Sequence, residues 1–283
     1  MKTDRKEVKF GLALGGGAAV GMAHIPVLQA FDDLGLKPAA ITGTSVGALI
    51  GAAYAAGVSA DALADHVRHL SKRPLWQVLR RSRGRALTFN RLLPALHAEA
   101  VARALLPEGC PYAFADLAIP FRAVAFDYHA RALTALDQGA LLPAVAASLA
   151  VPGLFKPVRL GGRVYVDGGI ADNLPIAFLP PVDHVVAVNV FHDPKPLNAR
   201  APGQIRAGIS GMRALIDQAT RATAALNPPD TLILPPLHRF GPGAMGQLEA
   251  ILDGAAPARV ETRRRLEAVL ADPAGVHAAT LSG

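Results

Sequence analysis

Gly43-Thr44-Ser45-Val46-Gly47 decides how this chain is read. An apolar run over residues 38–41 enters it, and an alanine-rich helical run over residues 46–56 leaves it. Strand, sharp serine-bearing turn, helix is the layout of a nucleophile elbow. The glycines at 43 and 47 are demanded sterically, because in so tight a turn a Cβ would strike the neighbouring helix or strand. Such a turn pushes the Ser45 hydroxyl out at the C-terminal edge of a sheet, beside unbonded N–H groups at the helix start. The pentapeptide alone is only moderately specific, since glycine and serine are common in loops.

Upstream, residues 7–14 alternate as a buried strand through Val8, Phe10, Leu12 and Leu14. Gly15-Gly16-Gly17-Ala18-Ala19-Val20-Gly21 follows, then a helical pattern through Val27, Leu28, Phe31 and Leu34, which Gly35 closes. Strand, glycine loop, helix, strand, serine turn, helix predicts an α/β fold with a parallel sheet covered by helices. The glycine loop has three readings. A dinucleotide site expects an acid about twenty residues on; the second strand instead ends in Thr42-Gly43-Thr44-Ser45, and Asp32 and Asp33 lie within the helix before it. The second reading points the N–H groups of Gly15, Gly16 and Gly17 at a developing oxyanion, which glycine permits by letting substrate approach the main chain. The third is a tight turn with no ligand.

Downstream we expect a helix over 59–70 capped by Ser59, a helix over 88–105, strands over 119–126 and 132–136 joined as a hairpin around Tyr128-His129, and a helix over 139–149. A strand over 163–166 runs into Asp167-Gly168-Gly169, another covers 185–190, and 194–202 is a surface loop. A long helix over 203–226, a short strand over 231–234 and a helix over 246–271 complete the chain. No linker divides it, so one domain over 1–283 is expected, with a motif-bearing core over about 8–192 and a helical part over about 203–271. Asp167, at a strand end before two glycines, can place a carboxylate in a cleft as general base for a serine. Asp-Gly is also the ordinary sequence of a hairpin turn. A serine hydrolase of the usual kind needs a histidine too, and His238 is the best placed of those after Asp167, so a triad stays open at this point.

Composition narrows the classes. With 51% hydrophobic and 18% charged residues the chain can build a substantial core. A single cysteine, Cys110, excludes an intramolecular disulfide framework and a cysteine-based metal cluster. The net charge of +7 is uneven: no acid lies between His66 and Ala98, where Arg68, Lys72, Arg73, Arg80, Arg81, Arg83, Arg85 and Arg91 all fall. Such a segment suits phosphates of nucleic acid or anionic lipid, or a solvated surface. The longest apolar stretch, 39–60, contains the serine turn and several glycines and does not read as a membrane span. Gly15-Gly16-Gly17 breaks any signal-peptide core after Lys2, Arg5, Lys6 and Lys9, so a cytoplasmic protein is expected.

Four ordered blocks resemble the patatin-like phospholipases, particularly compact bacterial ones. They are Leu14-Gly15-Gly16-Gly17-Ala18-Ala19-Val20-Gly21 with Ala23-His24-Ile25; the elbow through Ala48; residues 147–158, Ala-Ser-Leu-Ala-Val-Pro-Gly-Leu-Phe-Lys-Pro-Val; and residues 166–175, Val-Asp-Gly-Gly-Ile-Ala-Asp-Asn-Leu-Pro. The resemblance implies a three-layer α/β/α fold with a mostly parallel central sheet. It implies a Ser–Asp dyad without histidine: Ser45 as nucleophile, Asp167 as base, and Gly15, Gly16 and Gly17 as the oxyanion loop. Gly21, Gly43, Gly47, Gly168 and Gly169 are its motif glycines, His24 is structural beneath the loop, and His238 has no catalytic role. The implied reaction is hydrolysis of fatty acyl esters of phospholipids or lysophospholipids through an acyl-enzyme, with no cofactor, no metal and no nucleic acid. A broad carboxylesterase or thioesterase is the alternative on the same pair. Val20 stands where the family usually has Arg or Lys, and Ala18 and Pro26 where many members have glycine; the lost cation suggests a further alternative, a lipid-binding regulatory protein. In a lipid hydrolase, Trp76 with Arg80, Arg81, Arg83 and Arg85 suits peripheral contact with an anionic membrane, at its inner face for a cytoplasmic enzyme. The oligomeric state is not legible in the sequence.

Overall fold

Residues 8–72, 87–90, 93–192, 203–241 and 243–272 are described by the computed structural model of the chain. The first strand, β1 (Phe10–Leu14), is buried on both faces, and the glycine loop turns into a six-residue 3-10 helix, Ala18–Ala23, that continues into α1 (His24–Asp33). Gly35, at φ 64, ends α1 as its left-handed cap, with Leu36 N–H donating to Phe31 O. β2 (Ala40–Thr44) then runs straight into Ser45 and α2 (Val46–Ala55), followed by α3 (Ala60–Ser71), whose N-cap Ser59 accepts from Ala62 N–H at 3.2 Å. The Asp32 carboxylate binds these helices together, accepting from the Tyr54 hydroxyl at 2.8 Å and the Ala60 N–H at 2.8 Å.

The expected helix over 88–105 is corrected. The segment forms β3 (Leu87–Asn90) and β4 (Leu93–Leu96), paired antiparallel, before a short α4 (Ala98–Leu105). Pro94 would fall beyond the first turn of that helix, where it removes a backbone N–H and clashes with the preceding turn, and Thr88-Phe89 suits extended chain. The expected hairpin is present as β5 (Phe121–Asp127) and β6 (Ala132–Leu136), followed by α5 (Leu141–Leu149). A strand that the sequence pattern did not signal, β7 (Val158–Leu160), turns through Gly161-Gly162 into β8 (Arg163–Asp167). Then come β9 (His184–Val188), α6 (Gln204–Leu226), β10 (Thr231–Ile233), α7 (Leu248–Gly254) and α8 (Ala256–Ala271). The single final helix expected over 246–271 is thus broken, with Pro257 in the first turn of its second half.

The sheet is mixed, in the order β10-β9-β1-β2-β5-β8-β7, with β6 also on β5. Its five strands from β10 to β5 are parallel, while β6, β8 and β7 form an antiparallel flank. Alternation along the strands separates two cores. Leu12, Leu14, Val186, Val188 and Ile233 join the large cluster that also contains apolar residues of α1, α2, α3, α5, α7 and α8. On the other face Ala13 and Ala187 meet Leu174, Ile176 and Ala224 of α6. The result is a three-layer α/β/α fold with one thick and one thin helical layer. The chain leaves β1 toward β2 on one side while β9 arrives on the other, which makes the C-terminal end of β1 a topological switch point, the usual place for a ligand crevice. No helix among the described residues is long and apolar enough to cross a membrane.

Candidate active site

Ser45 has φ 55 and ψ −124, a left-handed conformation that a non-glycine residue rarely adopts, and it occupies the N-cap position of α2. The turn is as tight as its sequence predicts. A Cβ on Gly43 would lie 2.6 Å from the Ala48 backbone, and one on Gly47 would run into the carbonyl oxygens of Leu14 and Gly15.

Strand β5 aligns the rest. Thr44 pairs with Val124 and Asp167 with the next residue, Ala125, along one edge of β5, the other edge being taken by β6 over residues 123–127, so Ser45 and Asp167 meet where β2 and β8 abut. The Ser45 hydroxyl is close enough to the Asp167 carboxylate to favour its charged form. Both residues are buried, Ser45 at 7% and Asp167 at 4% exposure. Burial pushes the Asp167 carboxyl up to about 6, opposed by the nearby Ser45 hydroxyl and by the hydrogen bond from Gly169 N–H at 2.7 Å. Gly168 sits against Val124 O, where a Cβ would be 2.6 Å away.

Two polar residues that sequence reasoning passed over hold this pair and its loop. Ser148, near the end of α5, accepts the Ser45 N–H at 2.9 Å and donates to Val124 O at 2.6 Å. Two residues on, Ala150 O accepts the Asp167 N–H at 3.0 Å. Asn173 clamps Gly16 from both sides: its side-chain amide donates to Gly16 O at 2.9 Å, and its carbonyl accepts the Gly16 N–H at 3.0 Å. The signal available in the sequence was Ser148 as the one polar residue in the apolar run 144–151; Asn173, next to Asp172, carried none.

The glycine loop passes so close to Ser45 that a Cβ on Gly16 would lie 3.0 Å from the Ser45 Cβ. The N–H groups of Gly15 and Gly16, expected to face an oxyanion, are bonded to Val188 O and Asn173 O, each at 3.0 Å. Among the described residues the Gly17 N–H has no backbone acceptor, and Ala18 heads the 3-10 helix, where an N–H has no partner within the helix. Gly21 lies inside that 3-10 helix against Val46. His24 lies beneath the loop, donating from Nε2 to Gly15 O at 2.7 Å; burial pushes the imidazole down to about 4, so it is neutral at physiological pH. Val20 is buried in the large core cluster, so this position puts no cation beside the loop.

Ser45 and Ala18 stand at the edge of a cavity of about 350 Å³, within the usual range of about 300–1,000 Å³ for small-ligand sites. Its wall is almost wholly apolar: Val46, Leu49, Ile50 and Ala53 along one face of α2, Leu63, Val67 and Leu70 of α3, Leu105 of α4, and Leu154 and Phe155 after α5. Met245 and Leu248, far along the chain, complete it. The expected membrane-contact residues Trp76, Arg80, Arg81, Arg83 and Arg85 lie outside the described residues. His238 is exposed in the turn after β10, at the opposite edge of the sheet from β8, and is not among the groups acting on Asp167. Among the described residues no group of three or more His, Cys, Asp or Glu side chains is arranged to hold a metal ion.

The model of the patatin-like phospholipase family matches residues 12–179, more than half of the chain. The chain belongs to that family. This patatin-like chain is 34% identical, over 77% of its length and 57% of the relative's, to an uncharacterized NTE family protein of Mycobacterium tuberculosis. It is 29% identical, over 59% of its length and 10% of the relative's, to lysophospholipase NTE1 of Cryptococcus neoformans. It therefore spans little more than half of the mycobacterial relative and a small part of the fungal one. Among solved structures, VipD of Legionella pneumophila aligns with 92% of this chain and 67% of that one, with a TM-score of 0.48 and 15% identity.

Proposed function

We propose that this patatin-like chain is a serine hydrolase of fatty acyl esters in phospholipids or lysophospholipids, working through a Ser45–Asp167 dyad. The observation that carries the reading is that Ser45, at the edge of an apolar cavity, is set by adjacent positions on β5 beside the buried Asp167 carboxylate, which is raised to about 6. A carboxylate that burial disfavours is a better proton acceptor than an exposed one, and near pH 7 it remains ionised.

In this mechanism the acyl chain fills the cavity and brings its carbonyl carbon to Ser45. The Ser45 oxygen attacks as Asp167 takes its proton. The N–H groups of Gly17 and Ala18 stabilise the tetrahedral oxyanion, a contribution of about 3 kcal/mol per donor in other hydrolases. The intermediate collapses, the C–O bond to the alcohol breaks, and the leaving oxygen takes the proton from Asp167. Water then attacks the acyl-enzyme while Asp167 again accepts a proton, and release of the fatty acid restores Ser45. The neutral His24 and the Asn173 clamp keep the loop in place without taking part in proton transfer.

Turnover of a p-nitrophenyl fatty acyl ester tests the reading. Ser45→Ala is expected to abolish it while the circular dichroism spectrum stays that of the wild type; undiminished turnover would overturn the assignment.

A further inference from the structure

The alcohol half of the substrate needs a place, and the acyl cavity offers no charged partner for one. Beside that cavity, across the shared wall of Phe155, lies a second cleft of about 620 Å³. Val166 and Ile170, which bracket Asp167 in the chain, form one side of it, and Tyr128, His129 and Arg131 of the β5–β6 turn form another. The strand register fixes the spacing. The last pair of the hairpin, Asp127–Ala132, lies two residues further along β5 than the Ala125–Asp167 pair, or about 7 Å at the usual rise of a strand.

Three features mark this turn as built to present a cation. Its acid, Asp127, accepts the N–H groups of His129 and Ala130 at 3.0 and 2.9 Å and faces Arg163 at 2.8 Å, so its charge is already answered. Arg131 carries no ion pair among the described residues. It also sits at φ 55, a conformation that glycine or asparagine takes at lower cost, so a large cationic side chain stands here against backbone preference.

We propose that this cleft receives the phosphodiester of a glycerophospholipid substrate, with Arg131 pairing with its charge while the acyl chain occupies the neighbouring cavity. The inference rests on the acyl-hydrolase reading above and adds to it a head-group site.

The test compares a lysophosphatidylglycerol with a monoacylglycerol of the same acyl chain, using Arg131→Asn, which suits the left-handed turn, and Arg131→Lys, which keeps the charge. In Arg131→Asn the ratio of kcat/KM for the charged over the neutral substrate is expected to fall about fivefold, as for a partly exposed ion pair. Arg131→Lys is expected to recover most of the ratio, and the thermal midpoint of Arg131→Asn is not expected to drop. Free inorganic phosphate should inhibit the wild type more than Arg131→Asn. An unchanged ratio, with both substrates turned over, overturns the head-group site alone. Equal inhibition of both proteins by inorganic phosphate places the anion elsewhere and overturns it as well. Failure of the wild type on both substrates overturns the acyl-hydrolase reading and this inference with it.

Discussion

Ser148 Oγ accepts the Ser45 N–H at 2.9 Å and donates its own O–H to Val124 O at 2.6 Å, so one buried hydroxyl ties the elbow to the strand that aligns it with Asp167. Ser148→Ala leaves a buried N–H and a buried carbonyl without this partner, a cost of about 2 kcal/mol. Thermal unfolding should show that loss. Kinetics should show kcat lowered about tenfold with KM little changed, because a displaced nucleophile weakens the transition state more than substrate binding. A stability loss with unaltered kcat would mean that Ser148 only supports the fold.

The pH dependence follows from Asp167. Its folded pKa is raised to about 6, so the proton-accepting carboxylate is populated above that pH and lost below it. The rate constant kcat/KM for a neutral ester should therefore rise between pH 5 and pH 7 with a limb near 6. A limb near the ordinary carboxylate value of about 4 would contradict the burial of the base.

Ala18 offers a gain rather than a loss. At φ 50 it holds a Cβ where glycine is the cheaper residue, and it stands at the cavity edge next to the Gly17 N–H. Ala18→Gly should raise stability by about 1 kcal/mol in chemical denaturation. Activity should be kept or increased, since the N–H donors belong to the backbone. Loss of turnover would show that the Cβ itself positions substrate.

The reach of the cavity can be read from chain-length preference. Ala53 lies eight residues beyond Ser45 on α2, about 12 Å along the helix axis. Ala53→Phe should obstruct the far end of the cavity and lower kcat/KM for long acyl chains more than about tenfold relative to a butyrate ester. Equal effects on both chain lengths would remove the acyl chain from this cavity.

Much of this was legible in the residues, for identifiable reasons. Gly43, Ser45 and Gly47 can be read because a turn of that tightness admits few residue types, and Gly35 and Ser59 because helix ends have their own chemistry. What the sequence withheld depends on partners distant in the chain. Whether Gly15 and Gly16 have N–H groups to offer depends on Val188 and Asn173, more than 150 residues away, and both turned out to be engaged. The roles of Ser148 and Asn173 are invisible until Ser45 and Gly16 are brought against them. The β3–β4 hairpin was hidden under an apolar pattern that suits a helix, although Pro94 already argued against one. Met245 and Leu248 complete the cavity from a part of the chain that carries none of the motifs.

Covalent labelling of the full chain by a fluorophosphonate probe, read by intact-protein and peptide mass spectrometry, tests the Ser45–Asp167 assignment most directly. The expected result is a single adduct on Ser45, absent from Ser45→Ala and strongly slowed in Asp167→Asn. An adduct on another residue, or labelling of Ser45→Ala at the wild-type rate, would contradict it.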